Sequence, residues 1–157
     1  MEYIWARSLE TGNAIVDNQH KQLFAELNKL FQAYRSGQEK QGMKKTLDFM
    51  LEYTLKHFAD EEKLQEECGY PEYLEHKRLH DEFRSLIKAL DVKLSQNGPT
   101  EDLILEVYTV LHEWLVSHIK TEDLKIVQHI QESSTNKRKR DLTPPRKGTG
   151  YEPSSNV

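Results

Sequence analysis

Residues 42–67 read GMKKTLDFMLEYTLKHFADEEKLQEE, and they carry the clearest structural pattern of the chain. Residues on one side of this stretch recur at alternate spacings of four and three, which is the period of an amphipathic helix: Met43, Leu47, Met50, Thr54, His57, Glu61 and Leu64. The inward stripe of this predicted helix therefore contains a histidine and a carboxylate. Because a buried carboxylate is costly unless it is paired or bound to a metal, the stripe indicates a polar site inside a helical core.

Three further segments have the same helical period. The first helix is predicted over residues 18–34. The third helix lies between two chain breakers, residues 69–71 and 97–99. The fourth helix begins after its predicted N-cap, Thr100, and is expected to end near Ile130. The inward stripes outside residues 42–67 are Leu23, Phe24, Leu27, Leu30, Phe31 and Tyr34; His76, His80, Phe83, Ile87, Leu90 and Leu94; and Leu103, Val107, Val110, Leu111, Trp114, Leu115 and His118.

Four helices joined by short connections predict an all-α fold, an up-down-up-down antiparallel four-helix bundle. Residues 1–17 are partly apolar without a clear period, so we expect an ordered N-terminal arm lying over the bundle. Residues 133–157 lack the apolar content that offsets ordering entropy, so a disordered C-terminal tail is predicted. The domain boundary is accordingly placed between a helical domain, residues 1–132, and a basic tail, residues 133–157.

Charge and cysteine content limit the kinds of partner and the cellular compartment that we expect for this protein. The chain has a net charge of -4, and the segment 133–157 carries six basic and two acidic residues, so residues 1–132 carry -8. An acidic body with a basic tail is not typical of a nucleic-acid-binding domain, and the sequence does not identify a protein partner for the tail. The single cysteine, Cys68, excludes a disulfide framework and makes cytoplasmic surroundings the default expectation. No signal peptide or membrane span is predicted.

Histidines are distributed over all four predicted helices. Of the seven, five fall on inward stripes: His20, His57, His76, His80 and His118. Residues four apart share a helix face, so His57 with Glu61, and His76 with His80, each present two ligand atoms to the same interior. A lone inward histidine is more often an ordinary core residue. Five of them with a carboxylate, brought to one level by antiparallel packing, predict a metal site.

The donor types limit the metal. Five imidazoles, at least two carboxylates and no thiolate at zinc-finger spacing are too many ligands for one tetrahedral zinc and the wrong ones for magnesium or calcium. Two transition-metal ions that share carboxylate bridges fit the count. The other two histidines, His112 and His129, are expected at the surface or behind the ligands, and Asp60 and Glu62 are interpreted as solvated.

Four motifs, in chain order, resemble those of the hemerythrin family, most closely its single-domain bacterial members. They are Asp17-x2-His20-Lys21, His57-Phe58-Ala59-Asp60-Glu61-Glu62, His76-x3-His80, and His118-Ile119-Lys120-Thr121-Glu122-Asp123. The resemblance covers about residues 3–130. It implies two non-haem iron ions (Fe2+/Fe3+) bridged by two carboxylates and an oxo or hydroxo group. It assigns His76, His80 and His118 to one iron, His20 and His57 to the other, and Glu61 and Asp123 to the bridges.

The second bridging carboxylate has two candidates. Regular helical spacing from His118 favours Glu122, four residues on, whereas the family pattern places the bridge at Asp123. A residue five positions along an α-helix is rotated by about 140°, so Asp123 requires a local distortion of the helix. We assign Asp123 and keep Glu122 as the alternative.

The resemblance also implies a function: reversible dioxygen binding, for oxygen storage or delivery to oxygen-requiring enzymes. Trp114, Leu115 and Ile119 match the apolar oxygen-pocket positions of the family, and Phe24 and Phe58 are candidates beside the second iron. An open ferrous position also accepts other small ligands, such as nitric oxide or azide.

Two other functions stay open at this point. An oxygen or redox sensor would use the basic tail to contact a partner. A di-iron oxidase is the second alternative, but such sites characteristically use Glu-x-x-His pairs, and none of the seven histidines has Glu three residues before it. No Tyr, Ser or Lys is placed as a nucleophile or general acid, so binding is predicted rather than enzymatic turnover.

Overall fold

The computed structural model describes residues 5–141, leaving aside the side chains of 39–41, 137 and 139–141. Within this range the chain forms five α-helices: α1 (Ala14–Arg35), α2 (Glu39–Cys68), α3 (Tyr73–Asn97), α4 (Glu101–His118) and α5 (Leu124–Asp141). A five-residue π-helical turn, Ile119–Asp123, joins α4 to α5, and the residues at both junctions keep right-handed helical backbone angles. Helices α4 and α5 therefore continue as one rod.

The helices close into a four-membered bundle. Helix α1 packs against α2 and α4, and α3 packs against the same two helices. The rod of α4 and α5 is the fourth member. The predicted antiparallel four-helix bundle is confirmed.

The core of the bundle changes character along its length. One half is filled by buried aliphatic side chains, among them Leu27, Leu30, Leu47, Met50, Ile87, Leu90, Val107 and Leu111. Because neighbouring helices run in opposite directions, the starts of α1 and α3 lie at the same end as the finishes of α2 and α4. Those four segments carry the buried histidines His20, His57, His76, His80 and His118.

Two helix starts are set by side-chain caps. The hydroxyl of Thr100 accepts a hydrogen bond from the backbone N–H of Leu103 at 3.2 Å, which confirms the predicted N-cap of α4. Helix α1 begins at Ala14, earlier than the predicted residue 18. The reason is Asn13, whose side-chain oxygen accepts from the backbone N–H groups of Ile15 and Val16 at 3.1 and 3.3 Å.

The N-terminal arm is ordered, as predicted, over the described residues 5–13. Leu9 lies in a 3-10 turn and is fully buried in the bundle core. The carboxylate of Asp17 fastens the arm to α1: it accepts from the backbone N–H and the hydroxyl of Thr11 at 2.7 and 2.8 Å, and from the N–H of Gly12 at 3.2 Å. Residues 14–17, also expected in the arm, belong to α1 instead.

The C-terminal helix is longer than predicted. Helix α5 continues to Asp141, past the expected end near Ile130, so residues 133–141 are helical although they were assigned to the disordered tail. Extending an existing helix costs less than starting one, which allows the exposed residues 131–136 to continue α5 without core contacts. The rest of the predicted tail lies outside the described residues. Over the described chain, none of the helices has an apolar run of the length that a bilayer crossing requires.

The arm contributes to stability through Leu9, and the substitution Leu9→Ala tests this. Removing a fully buried leucine side chain should lower the free energy of unfolding by about 2–5 kcal/mol. The matched control is Leu74→Ala, because Leu74 on α3 is 78% exposed and should change the same quantity by less than about 0.5 kcal/mol. Urea unfolding of both variants measures the difference, and equal effects would contradict a core role for the arm.

Candidate metal centre

Seven polar side chains meet inside the histidine-bearing end of the bundle. Each is at most 5% exposed. They come from four helices and the π turn: His20 from α1, His57 and Glu61 from α2, His76 and His80 from α3, His118 from the last residue of α4, and Asp123 from the π turn. The structure therefore brings together all seven residues that the sequence singled out as metal ligands.

The potential ligand atoms divide into two sets. Within each set they lie inside 4.8 Å of one another. The three-histidine group consists of His76, His80 and His118 with Glu61 and Asp123, and the two-histidine group consists of His20 and His57 with Glu61.

Glu61 faces both groups with different oxygen atoms. Its Oε2 lies 3.3 Å from Nε2 of His80, in the three-histidine group. Its Oε1 lies 3.7 Å from Nε2 of His20 and 3.7 Å from Nε2 of His57. One carboxylate can therefore serve two ions at once.

Asp123 divides its oxygen atoms in the same way. Its Oδ1 lies 3.1 Å from Nε2 of His118 and 3.4 Å from Nε2 of His76, whereas its Oδ2 lies 3.2 Å from Nε2 of His20. Both carboxylates thus span the space between the two histidine groups.

The π turn explains how Asp123 enters the cluster. A π-helix closes its hydrogen bonds over five residues rather than four, so a residue five positions after His118 returns to the same side of the rod. Glu122 points outward instead: its side chain is 19% exposed and forms an ion pair with Lys125 at 3.0 Å. This π turn is the local helix distortion that the position of Asp123 requires. It places Asp123, not Glu122, among the histidines.

Six of the potential ligand atoms have no hydrogen-bond partner among the described residues. They are both carboxylate oxygens of Glu61, both of Asp123, and Nε2 of His20 and of His76. Buried polar atoms in folded proteins are nearly always hydrogen-bonded, so a converging set of this kind is one that could hold a metal ion. Imidazole and carboxylate donors in this number suit transition metals. The residues present therefore fit a two-metal site.

Burial also shifts the protonation of the cluster. It lowers the pKa of His57 to about 3, with the nearby His20 adding to the shift, and it lowers the pKa values of His76 and His80 as well. Burial, together with the charge of Asp123, raises the pKa of Glu61 to about 8. Burial thus favours the neutral form of His57, His76 and His80, which is the form of imidazole that binds metals.

Two of the histidines form hydrogen bonds through Nδ1, the ring nitrogen that faces away from the cluster. Nδ1 of His57 lies 2.9 Å from Oε1 of Gln19, and Nδ1 of His80 lies 3.2 Å from Oε1 of Glu62. The interpretation of Glu62 as a solvated residue is wrong, since its side chain is only 13% exposed and faces His80. Sequence reasoning missed both partners because pairs between helices leave no periodic signal in the chain.

Aromatic rings pack against the histidines of the three-histidine group. The ring of Phe58 stacks on that of His80 at 3.7 Å between centroids, with an interplanar angle of 5°. Trp114 stacks on His118 at 4.3 Å and 13°. These stacked rings limit the orientations available to both imidazoles. Phe58 thus lies between the two groups: its ring also lies 5.4 Å from that of His57 in the two-histidine group.

Phe24 and His129 make contacts of other kinds. Phe24 contacts the rings of Trp5 and His112, at 5.8 and 6.0 Å. Nε2 of His129 lies 3.1 Å from the backbone oxygen of Cys68. None of these residues belongs to the two ligand sets found among the described residues.

Comparison with known proteins agrees with this arrangement. Residues 11–130 match the family model described as the hemerythrin HHE cation binding domain. The chain is 34% identical over 130 residues to bacteriohemerythrin from Pseudomonas aeruginosa (strain LESB58), which covers 83% of this chain and 82% of that protein. It is 30% identical over 123 residues to myohemerythrin from Sipunculus nudus, and the alignment covers 78% of this chain and 89% of that protein. A crystal structure of a hemerythrin mutant matches with a TM-score of 0.65 and 27% identity, over 79% of this chain and 94% of that one. The chain belongs to the hemerythrin family.

Proposed function

We propose that this protein binds two non-haem iron ions in the seven-residue cluster and uses them to bind dioxygen reversibly, for storage or for delivery to oxygen-requiring enzymes. The observation that carries the proposal is the position of Glu61 and Asp123, each of which turns one oxygen toward each histidine group. Membership of the hemerythrin family supports the same function.

The protein offers unequal numbers of donors to the two positions. One iron would be held by His76, His80 and His118, the other by His20 and His57, with one oxygen of Glu61 and one of Asp123 for each. The three-histidine position then has five protein donors and the two-histidine position four. Because the two-histidine position has fewer protein donors, an incoming small molecule would bind there. Such molecules include nitric oxide and azide as well as dioxygen.

When bound, two ferrous ions supply the electrons that dioxygen binding requires. The protein supplies a weakly charged and buried surrounding. Five neutral imidazoles and two carboxylates contribute a charge of only -2, which stabilises the ferric state less than a carboxylate-rich site does. All seven side chains are at most 5% exposed, and excluding water protects a bound reactive ligand. These properties favour reversible binding over turnover.

We assign the oxygen pocket to Trp114, Leu115 and Ile119. Trp114 stacks on His118, and Leu115 and Ile119 are 2% and 1% exposed on the same rod. Apolar side chains at these positions would keep water away from the bound ligand.

We place the oxygen-binding unit within residues 1–132 and leave the basic segment 133–157 outside it. All seven proposed ligands and all three pocket residues precede residue 124. The described side chains at 131–136 are exposed and line no part of the cluster.

The experiment that tests this function loads the protein with Fe2+ without air, counts iron per chain, and records the absorption spectrum before air, after air and after oxygen removal. We expect two irons per chain and a visible band that appears with oxygen and disappears when oxygen is removed. Immediate oxidation without such a band would favour an oxidase or a redox sensor. Fewer than two irons would contradict the two-metal assignment.

The choice between the two neighbouring carboxylates is tested by a matched pair of amide substitutions. Asp123→Asn should reduce the iron content below two per chain, because it removes an anionic oxygen from both positions. Glu122→Gln should keep two irons, because Glu122 pairs with Lys125 at the surface. Metal analysis after anaerobic loading measures both variants. Iron loss in Glu122→Gln with full loading of Asp123→Asn would reverse the assignment.

The pocket assignment is tested by Leu115→Ala. This variant should still bind two irons but oxidise in air several-fold faster, because a shorter side chain admits water. Leu105→Ala is the control, since Leu105 lies on the same helix and is 43% exposed. The decay of the oxygen-dependent absorption band gives both rates. A Leu115→Ala protein as stable in air as the parent would show that Leu115 does not protect the site.

A further inference from the structure

Behind the two histidine groups, the hydrogen-bond acceptors differ in charge. Nδ1 of His80 donates to a carboxylate, Oε1 of Glu62, at 3.2 Å, whereas Nδ1 of His57 donates to a neutral amide, Oε1 of Gln19, at 2.9 Å. In both cases Nε2 of the imidazole faces the cluster. The three-histidine group therefore contains an imidazole backed by a negative charge, and the histidine backed by Gln19 lies in the two-histidine group.

The carboxylate of Glu62 is held in place by α3. Lys77 Nζ donates to Glu62 Oε2 at 2.8 Å, and the guanidinium of Arg84 lies 3.7 Å from Glu62 Oε1. Lys77, His80 and Arg84 are spaced by three and four residues, which places them on one face of the helix. Glu62 on α2 thus contacts three side chains on one face of α3.

The ring of His80 is constrained from a second direction. Phe58 stacks on it almost parallel, at 3.7 Å and 5°. The side chain of His80 is fully buried, so it has no solvent-facing alternative. With its plane set by Phe58 and its Nδ1 bound to Glu62, the imidazole presents Nε2 to the cluster in one orientation.

We infer that Glu62 is a positioning residue that makes the three-histidine group the tighter of the two metal positions, so that this position fills first. A hydrogen bond to an anionic acceptor is stronger than one to a neutral acceptor, and it makes the imidazole a more basic ligand. Gln19 orients His57 without adding charge, and its own amide donates to Asp60 Oδ2 at 2.7 Å. The inference rests on the proposed two-metal function and adds an order of filling to it.

A purely structural role for Glu62 makes a different prediction. Glu62 could serve only to tie α2 to α3 through its ion pair with Lys77. Removing Lys77 would then disturb the protein as much as neutralising Glu62. The substitution Lys77→Gln breaks this ion pair but keeps the hydrogen bond from His80 to Glu62, so it is the matched control.

The test titrates the full, metal-free chain with Co2+, following heat by calorimetry and the visible absorption of the bound ion. The parent should show two binding steps of different affinity. Glu62→Gln keeps the size of the side chain and loses its charge, so it should weaken the tighter step by roughly 10- to 100-fold, alter the absorption of the first Co2+ equivalent, and leave the weaker step unchanged. Lys77→Gln should weaken the first step far less than Glu62→Gln does, because His80 and Arg84 still contact Glu62 Oε1, and it should leave the second step unchanged.

Gln19→Ala provides an independent variant that does not touch Glu62. It removes the acceptor behind His57, so it should weaken the second step and leave the first unchanged. Thermal unfolding of each metal-free variant shows which of them are folded.

Three results would overturn the inference: equal affinities in Glu62→Gln and the parent, equal weakening of both steps by Glu62→Gln, or a loss of first-step affinity in Lys77→Gln as large as in Glu62→Gln. Weakening of the first step by Gln19→Ala would also contradict it. A parent chain that binds fewer than two Co2+ ions would instead contradict the two-metal function itself, and the inference would fall with it.

Discussion

The bundle must bury two carboxylates, Glu61 and Asp123, among five histidines. Each carboxylate is 1% exposed, and their four oxygen atoms have no hydrogen-bond partner among the described residues. Buried carboxylates oppose folding unless they are paired or an ion binds them. Alternating helix directions bring these five histidines to one end of the bundle, and aliphatic side chains fill the other end. Trp5 of the arm lies beside His20, with ring centroids 6.4 Å apart.

The π turn shows how one backbone irregularity can serve this constraint. A regular helix after His118 would direct Glu122 toward the core and Asp123 away from it. In the π turn each hydrogen bond spans five residues, so the two side chains exchange directions. Asp123 is buried, and Glu122 pairs with Lys125 at the surface. Because α4 and α5 continue on either side of the turn, the distortion does not interrupt the fourth member of the bundle.

Much of this arrangement was predictable because helical periodicity repeats. The inward stripes located the histidines, Glu61 and most of the core, and the resemblance to the hemerythrin family resolved the choice of Asp123 that spacing alone left open. What the sequence did not show were features without a period. The early start of α1 depends on one cap, Asn13, the exposed end of α5 has no apolar stripe, and the contacts of Glu62 and Gln19 join residues on different helices.

We propose that both carboxylates bridge two metal positions. A crystal structure of the iron-loaded protein, with anomalous scattering measured at the iron edge, tests it most directly. We expect two iron peaks, one beside His76, His80 and His118 and one beside His20 and His57, each in contact with one oxygen of Glu61 and one of Asp123. A single peak, or two peaks with both oxygens of either carboxylate bound to the same iron, would contradict it.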